Sequence, residues 1–175
     1  MGSYSKVSEL FLKENFKPLR GGVILYCDHN NEKLFGLGID YNTRDITDFG
    51  GGIKQTETFL KACLREFDEE SLGVFSDLIE KTPEEELMNY YAVYNHYSVA
   101  IFIKIPYEEY YQRTLIFKEK VKKIIDENRK PEVINISWFN YESLNKIINS
   151  ENKDSCGMYN VIKLVLKNIP LTVIE

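Results

Sequence analysis

Seven residues near the middle of the chain have the types and spacing to do chemistry: Gly51, Glu57, Arg65, Glu66, Phe67, Glu69 and Glu70. Five residues separate Gly51 from Glu57, seven separate Glu57 from Arg65, and the run Arg-Glu-Phe-Asp-Glu-Glu follows. Four carboxylates and one guanidinium are thereby gathered around a glycine-rich turn. Oxygen-rich sets of this kind hold hard divalent cations such as Mg2+, which bind through carboxylates and the phosphates of a substrate. Gly50, Gly51 and Gly52 let the backbone approach a ligand or a metal with no Cβ in the way. An acidic cluster alone is a solvated helix face, and Glu84, Glu85 and Glu86 are taken as that. The fixed Gly–Glu–Arg spacing sets the first group apart.

A helix from about Thr58 to Ser71 must position these acids. Phe59, Leu60, Cys63, Leu64 and Phe67 recur at helical spacing and form one apolar stripe. At about 100° per residue, Glu66 and Glu70 lie about 40° apart and Glu66 and Glu69 about 60° apart. The three acids therefore share a face beside the stripe. Arg65, four residues before Glu69, is placed to brace it by an i,i+4 pair.

The pattern closely resembles the signature box of the Nudix hydrolases, spanning 51–74 here. The resemblance implies an α/β fold, a Nudix-like α/β/α sandwich around a mixed β-sheet. It implies that the loop and helix bind Mg2+ or Mn2+ through Glu66, Glu70 and Glu69, with the main-chain carbonyl of Gly51 as an addition. Glu57 and Arg65 match positions that brace the helix and orient its acids. The implied reaction cleaves a diphosphate bond in a nucleoside diphosphate linked to another group, by a metal-activated water. Glu132, six residues before Trp138, stands near where several family members place a further metal-binding or base-like glutamate. A charged entrance to a strand is the equal alternative there.

The chain departs from the family pattern in places. Ser71 and Leu72 both precede Gly73-Val74, an insertion of one residue that is expected to alter the helix end and leave the ligands in place. Thr56 stands where glycine is usual and Phe49 where proline is frequent. A second echo, Ile136-Ser137-Trp138-Phe139-Asn140-Tyr141-Glu142-Ser143-Leu144, is similar to the family's late passage from strand to helix.

The whole chain fits these elements. Its 175 residues, 43% hydrophobic, suffice for one compact core, so residues 1–175 are expected to form a single domain. A net charge of −5 argues against a broad nucleic-acid surface, and no DNA partner is expected. A nucleotide held through a metal is compatible with it. Cys27, Cys63 and Cys156 are odd in number and widely spaced, which suits a reducing compartment. No apolar run reaches transmembrane length and no secretory signal stands at the N-terminus, so a cytoplasmic protein without a membrane partner is expected. The oligomeric state is left open.

Around the box, the pattern predicts a short amphipathic helix over 3–16 and strands over Val23–Cys27 and Lys33–Ile39. Ser76–Lys81 is ambiguous, and Pro83 with the acidic run marks a helix start or a loop. Strands follow at Met88–Val93 and Tyr97–Ile105, joined by a turn at Tyr94-Asn95-His96. A helix over Glu108–Glu127, a strand over Glu132–Phe139 and a helix over Asn140–Ile148 come next. A surface loop at Ile148–Gly157 leads to a final helix over Met158–Asn168.

Three function classes remain: the hydrolase, a catalytically inactive Nudix-like module that binds a nucleotide, and a plain interaction protein. The last leaves the metal-ligand spacing without a reason. Within the enzyme class, the ending Glu-Glu-Ser-Leu-Gly-Val-Phe looks like Nudix proteins of large DNA viruses, some of which remove mRNA caps. Capped RNA is thus an alternative substrate. His29 is expected to be solvated, and His96 is a minor candidate for a pocket. Trp138 is expected in the core, and one or two tyrosines are expected to stack a base. Lys118, Lys120, Lys122 and Lys123 are taken as a solvated face.

Overall fold

The computed structural model describes residues 2–150 and 157–174. Its centre is β2 (Arg20–His29), a strand apolar on both faces. Val23, Leu25 and Cys27 pack to one side, and Ile24 and Tyr26 to the other. A strand of this composition needs cover above and below, and it has both. On the first side lie α2 (Phe59–Glu70) and α5 (Tyr107–Asp126), with Phe59, Leu60, Cys63, Phe67, Phe117 and Val121 in one core. On the second lie α6 (Tyr141–Ile148) and α7 (Asn160–Leu166), with Leu144, Ile148, Ile162, Val165 and Leu166 in another. The expected α/β/α sandwich around a mixed sheet is the observed architecture.

The sheet has eight strands. The strand β7 (Ser98–Lys104) runs parallel to β2. Every other strand pairing is antiparallel: β1 (Ser3–Lys6) with β6 (Tyr91–Tyr94), β6 with β7, β2 with β3 (Glu32–Asp40), and β3 with β8 (Val133–Asn140). β2 and β3 stay paired only from Leu25↔Gly36 to the hairpin end, and below that point they diverge. The fork is filled by β4 (Ile46–Thr47), which pairs β3, and β5 (Phe49–Gly52), which pairs β2. The three glycines therefore sit inside the sheet, directly beneath α2.

Several expected boundaries move. The predicted helix over 3–16 is instead β1 followed by a short α1 (Val7–Phe11). Ser3-Tyr4-Ser5-Lys6 gains a full antiparallel ladder with Tyr91–Tyr94, which a first helical turn would forgo. Met88 and Asn89 belong to α4 (Glu84–Asn89), not to the strand expected at Met88–Val93, because Pro83 starts a helical turn. Ser76–Lys81 resolves as α3. The final helix begins at Asn160, since Met158 is drawn into a parallel bridge with Ile46. Most of the expected loop at Ile148–Gly157, and with it Cys156, lies outside the described residues. Among the described residues no helix is long and apolar enough to cross a membrane.

The inserted residue after the box has a specific effect. The end of α2 is a Schellman motif, in which Gly73 N–H donates to Asp68 O at 2.9 Å and Leu72 N–H to Glu69 O at 3.2 Å. The insertion places Leu72, with φ 56°, where glycine is favoured, and Gly73 follows at φ 72°. Lys120 from α5 donates to the carbonyl of Leu72 at 3.0 Å and so closes the turn from outside. This lysine is therefore not simply part of a solvated face. Leu72 packs against the core, so its strain is balanced by burial.

Leu72→Ile keeps the apolar volume but puts a β-branched side chain at a left-handed position. It is expected to lower stability by about 1–2 kcal/mol in urea unfolding. An unchanged midpoint would show that the turn relaxes without strain.

Candidate active site

The glycine strand is held by two cross-strand pairs of glycines, Gly21↔Gly51 and Gly22↔Gly50. On the α2 face there is no room for side chains. A Cβ at Gly51 would come within 2.5 Å of the Glu66 carboxyl carbon, and one at Gly21 within 2.8 Å of Cys63 Sγ. The helix thus lies close enough to lay Glu66 on bare backbone. Thr58 starts it, accepting from Lys61 N–H, and Phe67 anchors it against Phe49 at 5.5 Å between ring centroids. Phe49, where proline was the familiar residue, is a core residue that the helix stands on.

Arg65 ties three segments together. Its Nε and Nη2 donate to both carboxylate oxygens of Glu57, at 3.0 and 2.6 Å. Nη1 donates to Glu66 at 2.8 Å, and Nη2 to the carbonyl of Gly52 at 3.0 Å. The expected i,i+4 contact with Glu69 is present but long, 3.4 Å, and Glu69 is 59% exposed. The bracing falls chiefly on Glu57 and Glu66. The guanidinium holds the Glu57 carboxyl well below its ordinary range, at about 2, helped by Lys54 N–H, which donates to the same carboxylate. Of the three acids expected on one face, Glu66 and Glu70 turn to the glycine strand and Glu69 turns to solvent.

Glu70 is the electrostatic focus. Its Oε2 accepts from Gly50 N–H at 3.1 Å. Burial pushes its carboxyl up to about 10, and Asp48, Glu132 and Glu66 add to the rise. Glu132 stands immediately before β8 and is exposed, so the structure brings it to the box despite 61 intervening positions of chain. Among the described residues no three acidic side chains already converge on one cation position. The donor chemistry nonetheless fits a hard divalent ion. Burial first, and then the carboxylates around it, favour the protonated form of Glu70, and a cation can take that proton's place. Glu66, Glu70, Glu132 and the carbonyl of Gly51 are oxygen donors around one edge of β5, with Glu69 alongside.

The opposite face of the glycine ladder was not foreseen. Arg20 and Asp48 form a bidentate ion pair at 3.0 and 2.6 Å, with Asp48 fully buried. Although burial works against its charge, the Asp48 carboxylate keeps the Arg20 guanidinium firmly protonated. The signal in the chain was a charged residue two positions before a glycine, twice over: Arg20 before Gly22 and Asp48 before Gly50. In a strand, i and i+2 share a face. Beside this pair opens a cleft of about 570 Å3, lined by Arg20, Gly50, Gly51, Glu70, Glu132 and Tyr159 among others. The remaining sequence candidates lie elsewhere. His29 stacks on Tyr107 at 3.8 Å, so it is not simply solvated. His96 is exposed and lines a separate hollow with Lys13, Phe16 and Tyr94. Trp138 is half-buried against the core and donates through Nε1 to Thr114.

No protein-family model and no curated protein matches the chain. Among solved structures it is similar to a Caenorhabditis elegans Ap4A hydrolase, at 13% identity over 86% of this chain and 94% of that one, TM-score 0.44. A binary complex of a C. elegans Ap4A hydrolase matches at 13% identity over 75% and 86%, TM-score 0.40. A Listeria monocytogenes protein provisionally described as a NUDIX hydrolase matches at 15% identity over 85% and 89%, TM-score 0.43.

The raised Glu70 carboxyl has a thermodynamic consequence. The unfolded chain releases this proton near the ordinary carboxylate value, whereas the folded chain keeps it up to about 10. The native state therefore binds the extra proton between those limits, and stability falls as pH rises. In EDTA, from about pH 6 to about pH 9, the wild type is expected to lose up to about 1 kcal/mol per pH unit relative to Glu70→Gln. Urea unfolding at three pH values measures the slope. Parallel slopes for the two proteins would show that Glu70 titrates normally.

Proposed function

We propose that the chain is a metal-dependent hydrolase of the Nudix type, cleaving the phosphoanhydride of a nucleoside diphosphate derivative. The observation that carries the reading is the five-point clasp of Arg65, which joins Glu57, Glu66, Glu69 and the carbonyl of Gly52 around the glycine strand. A solvated acidic helix face has no use for such a clasp.

Glu66 and Glu70 are the proposed principal ligands of Mg2+ or Mn2+, joined by Glu132, the carbonyl of Gly51 and Glu69. Held there, a divalent ion would supply positive charge for the phosphate oxygens and would lower the pKa of a water for hydrolysis. The chain's own residues do the rest. Arg65 and Glu57 hold Glu66 in place, Gly50 N–H orients Glu70, and the bare glycine backbone admits a diphosphate close to the acids. Glu132, exposed and close enough to Glu70 to raise its carboxyl, is proposed to take a proton from water or to join the ligand set.

The substrate is proposed to be compact. The cleft of about 570 Å3 is in the range of a small-molecule site, and the net charge of −5 gives no surface for a long RNA. A panel with Mg2+ and Mn2+ tests this: nucleoside triphosphates, dinucleoside polyphosphates, ADP-ribose, NADH, diphosphoinositol phosphates, cap dinucleotide, and capped RNA of increasing length at two salt concentrations. Turnover of at least one small diphosphate is expected. A strict requirement for long RNA would replace this reading with a decapping one, and no turnover of any compound would favour the inactive module.

On the best substrate, Glu66→Gln and Glu70→Gln are each expected to cut the rate by at least about a hundredfold with the fold intact by circular dichroism. Near-wild-type turnover in either variant would overturn the ligand assignment.

A further inference from the structure

Arg20 is 8% exposed and Asp48 0%. Their ion pair rests on bare backbone: a Cβ at Gly22 would lie 2.2 Å from Asp48 Oδ2, and one at Gly50 would lie 2.9 Å from Arg20 Nη2. The surrounding sheet face is apolar, with Ile24, Tyr26, Ala100 and Phe102. Apolar side chains of similar size commonly match or exceed the stability of a buried ion pair. Stability therefore gives no reason for two charges and two glycines at this spot.

Their position does. The Arg20 guanidinium lines the cleft beside Gly50 and Glu70, and it lies 5.4 Å from the centroid of the Tyr159 ring. The backbone of Tyr159 is anchored, because its N–H donates to Ile46 O at 2.7 Å and it stands at the start of α7. It nevertheless remains 38% exposed. An aromatic ring on an anchored stretch of backbone, with a cation near one face and part of its surface open to a cleft, is a platform for a planar ring. The cleft otherwise carries the acids Asp40, Asp45, Glu70 and Glu132, and an anionic substrate needs cations there, which Arg20 and the rim residue Lys130 supply.

We propose that Tyr159 and Arg20 form the nucleoside end of the substrate site: Tyr159 stacks the base, and Arg20, held by Asp48, contacts the phosphate nearest the nucleoside. The direction of the substrate rests on the reading that its diphosphate lies at Glu66, Glu70 and Glu132. The two readings separate when binding is measured without chemistry.

Nucleoside monophosphates contain no phosphoanhydride, so AMP and GMP report binding alone. By calorimetry in Mg2+, the wild type is expected to bind one of them at least about tenfold more tightly than inorganic phosphate. Tyr159→Ala should abolish that preference and Tyr159→Phe should keep it. Arg20→Lys should weaken the nucleotide while leaving the corresponding free nucleoside unchanged. Should Arg20→Lys fail to fold, the two Tyr159 variants decide. A wild type without preference for nucleotide over phosphate, or a Tyr159→Ala variant that retains the preference, overturns the proposal. A wild type that binds nucleotide through Tyr159 but hydrolyses nothing supports this subsite and overturns the hydrolase reading instead.

Discussion

Everything at the site depends on how closely backbone approaches backbone along the ladder Gly21↔Gly51 and Gly22↔Gly50. Four residues without Cβ leave a thin band in the sheet, and each face of the band accepts a charged group that no other residue pair would admit. On one face the Glu66 carboxyl lies over Gly51, with Cys63 over Gly21. On the other, Asp48 lies over Gly22 and Arg20 over Gly50. Glycine in a strand is ordinarily a weakness, because it packs nothing and forfeits entropy on folding. Here the loss is offset by the packing of α2 and by the hydrogen bonds that the approach permits.

The charges around this band fall into two systems with different jobs. Arg65 is surrounded by acceptors, holding the Glu57 carboxyl well below its ordinary range and donating to Glu66, so that part of the site is settled without a cation. Glu70 has no such partner. It faces Asp48, Glu132 and Glu66 from a largely buried position, and only a proton or a cation relieves that crowding. Asp48 itself is spoken for by Arg20. The imbalance is confined to the edge that opens to the cleft, which is where a phosphate-bound ion would arrive.

The end of α2 shows how a local deviation is absorbed. The extra residue moves the left-handed position onto Leu72, and the fold accommodates it with the Gly73 turn, the burial of Leu72 and a hydrogen bond from Lys120. Arg113 reinforces the same loop by donating to Val74 O at 2.6 Å and to Asp77. The adjustment lies beyond Glu70, at the far end of the helix from Thr58.

The box and its helix were legible in the chain because both depend on local spacing: a 3.6-residue period fixes which acids share a side, and i to i+4 reach decides what Arg65 touches nearby. The apolar strands and the α5 helix followed from the same short-range patterns, while the sandwich architecture was what the resemblance of the box implied. Local period misled at Ser3–Phe16, where pairing with a strand nearly ninety positions away outweighs a weak amphipathic signal. Only the tertiary structure decided what enters the cleft. Glu132, Tyr159 and the pair Arg20–Asp48 come from four separate stretches of the chain, and they meet because β2 and β3 diverge around β4 and β5. Spacing along a chain carries information about neighbours within a few turns of helix or one strand. Which distant segments share a cleft is set by sheet order and by the two cores that clamp the sheet, and no local pattern records either.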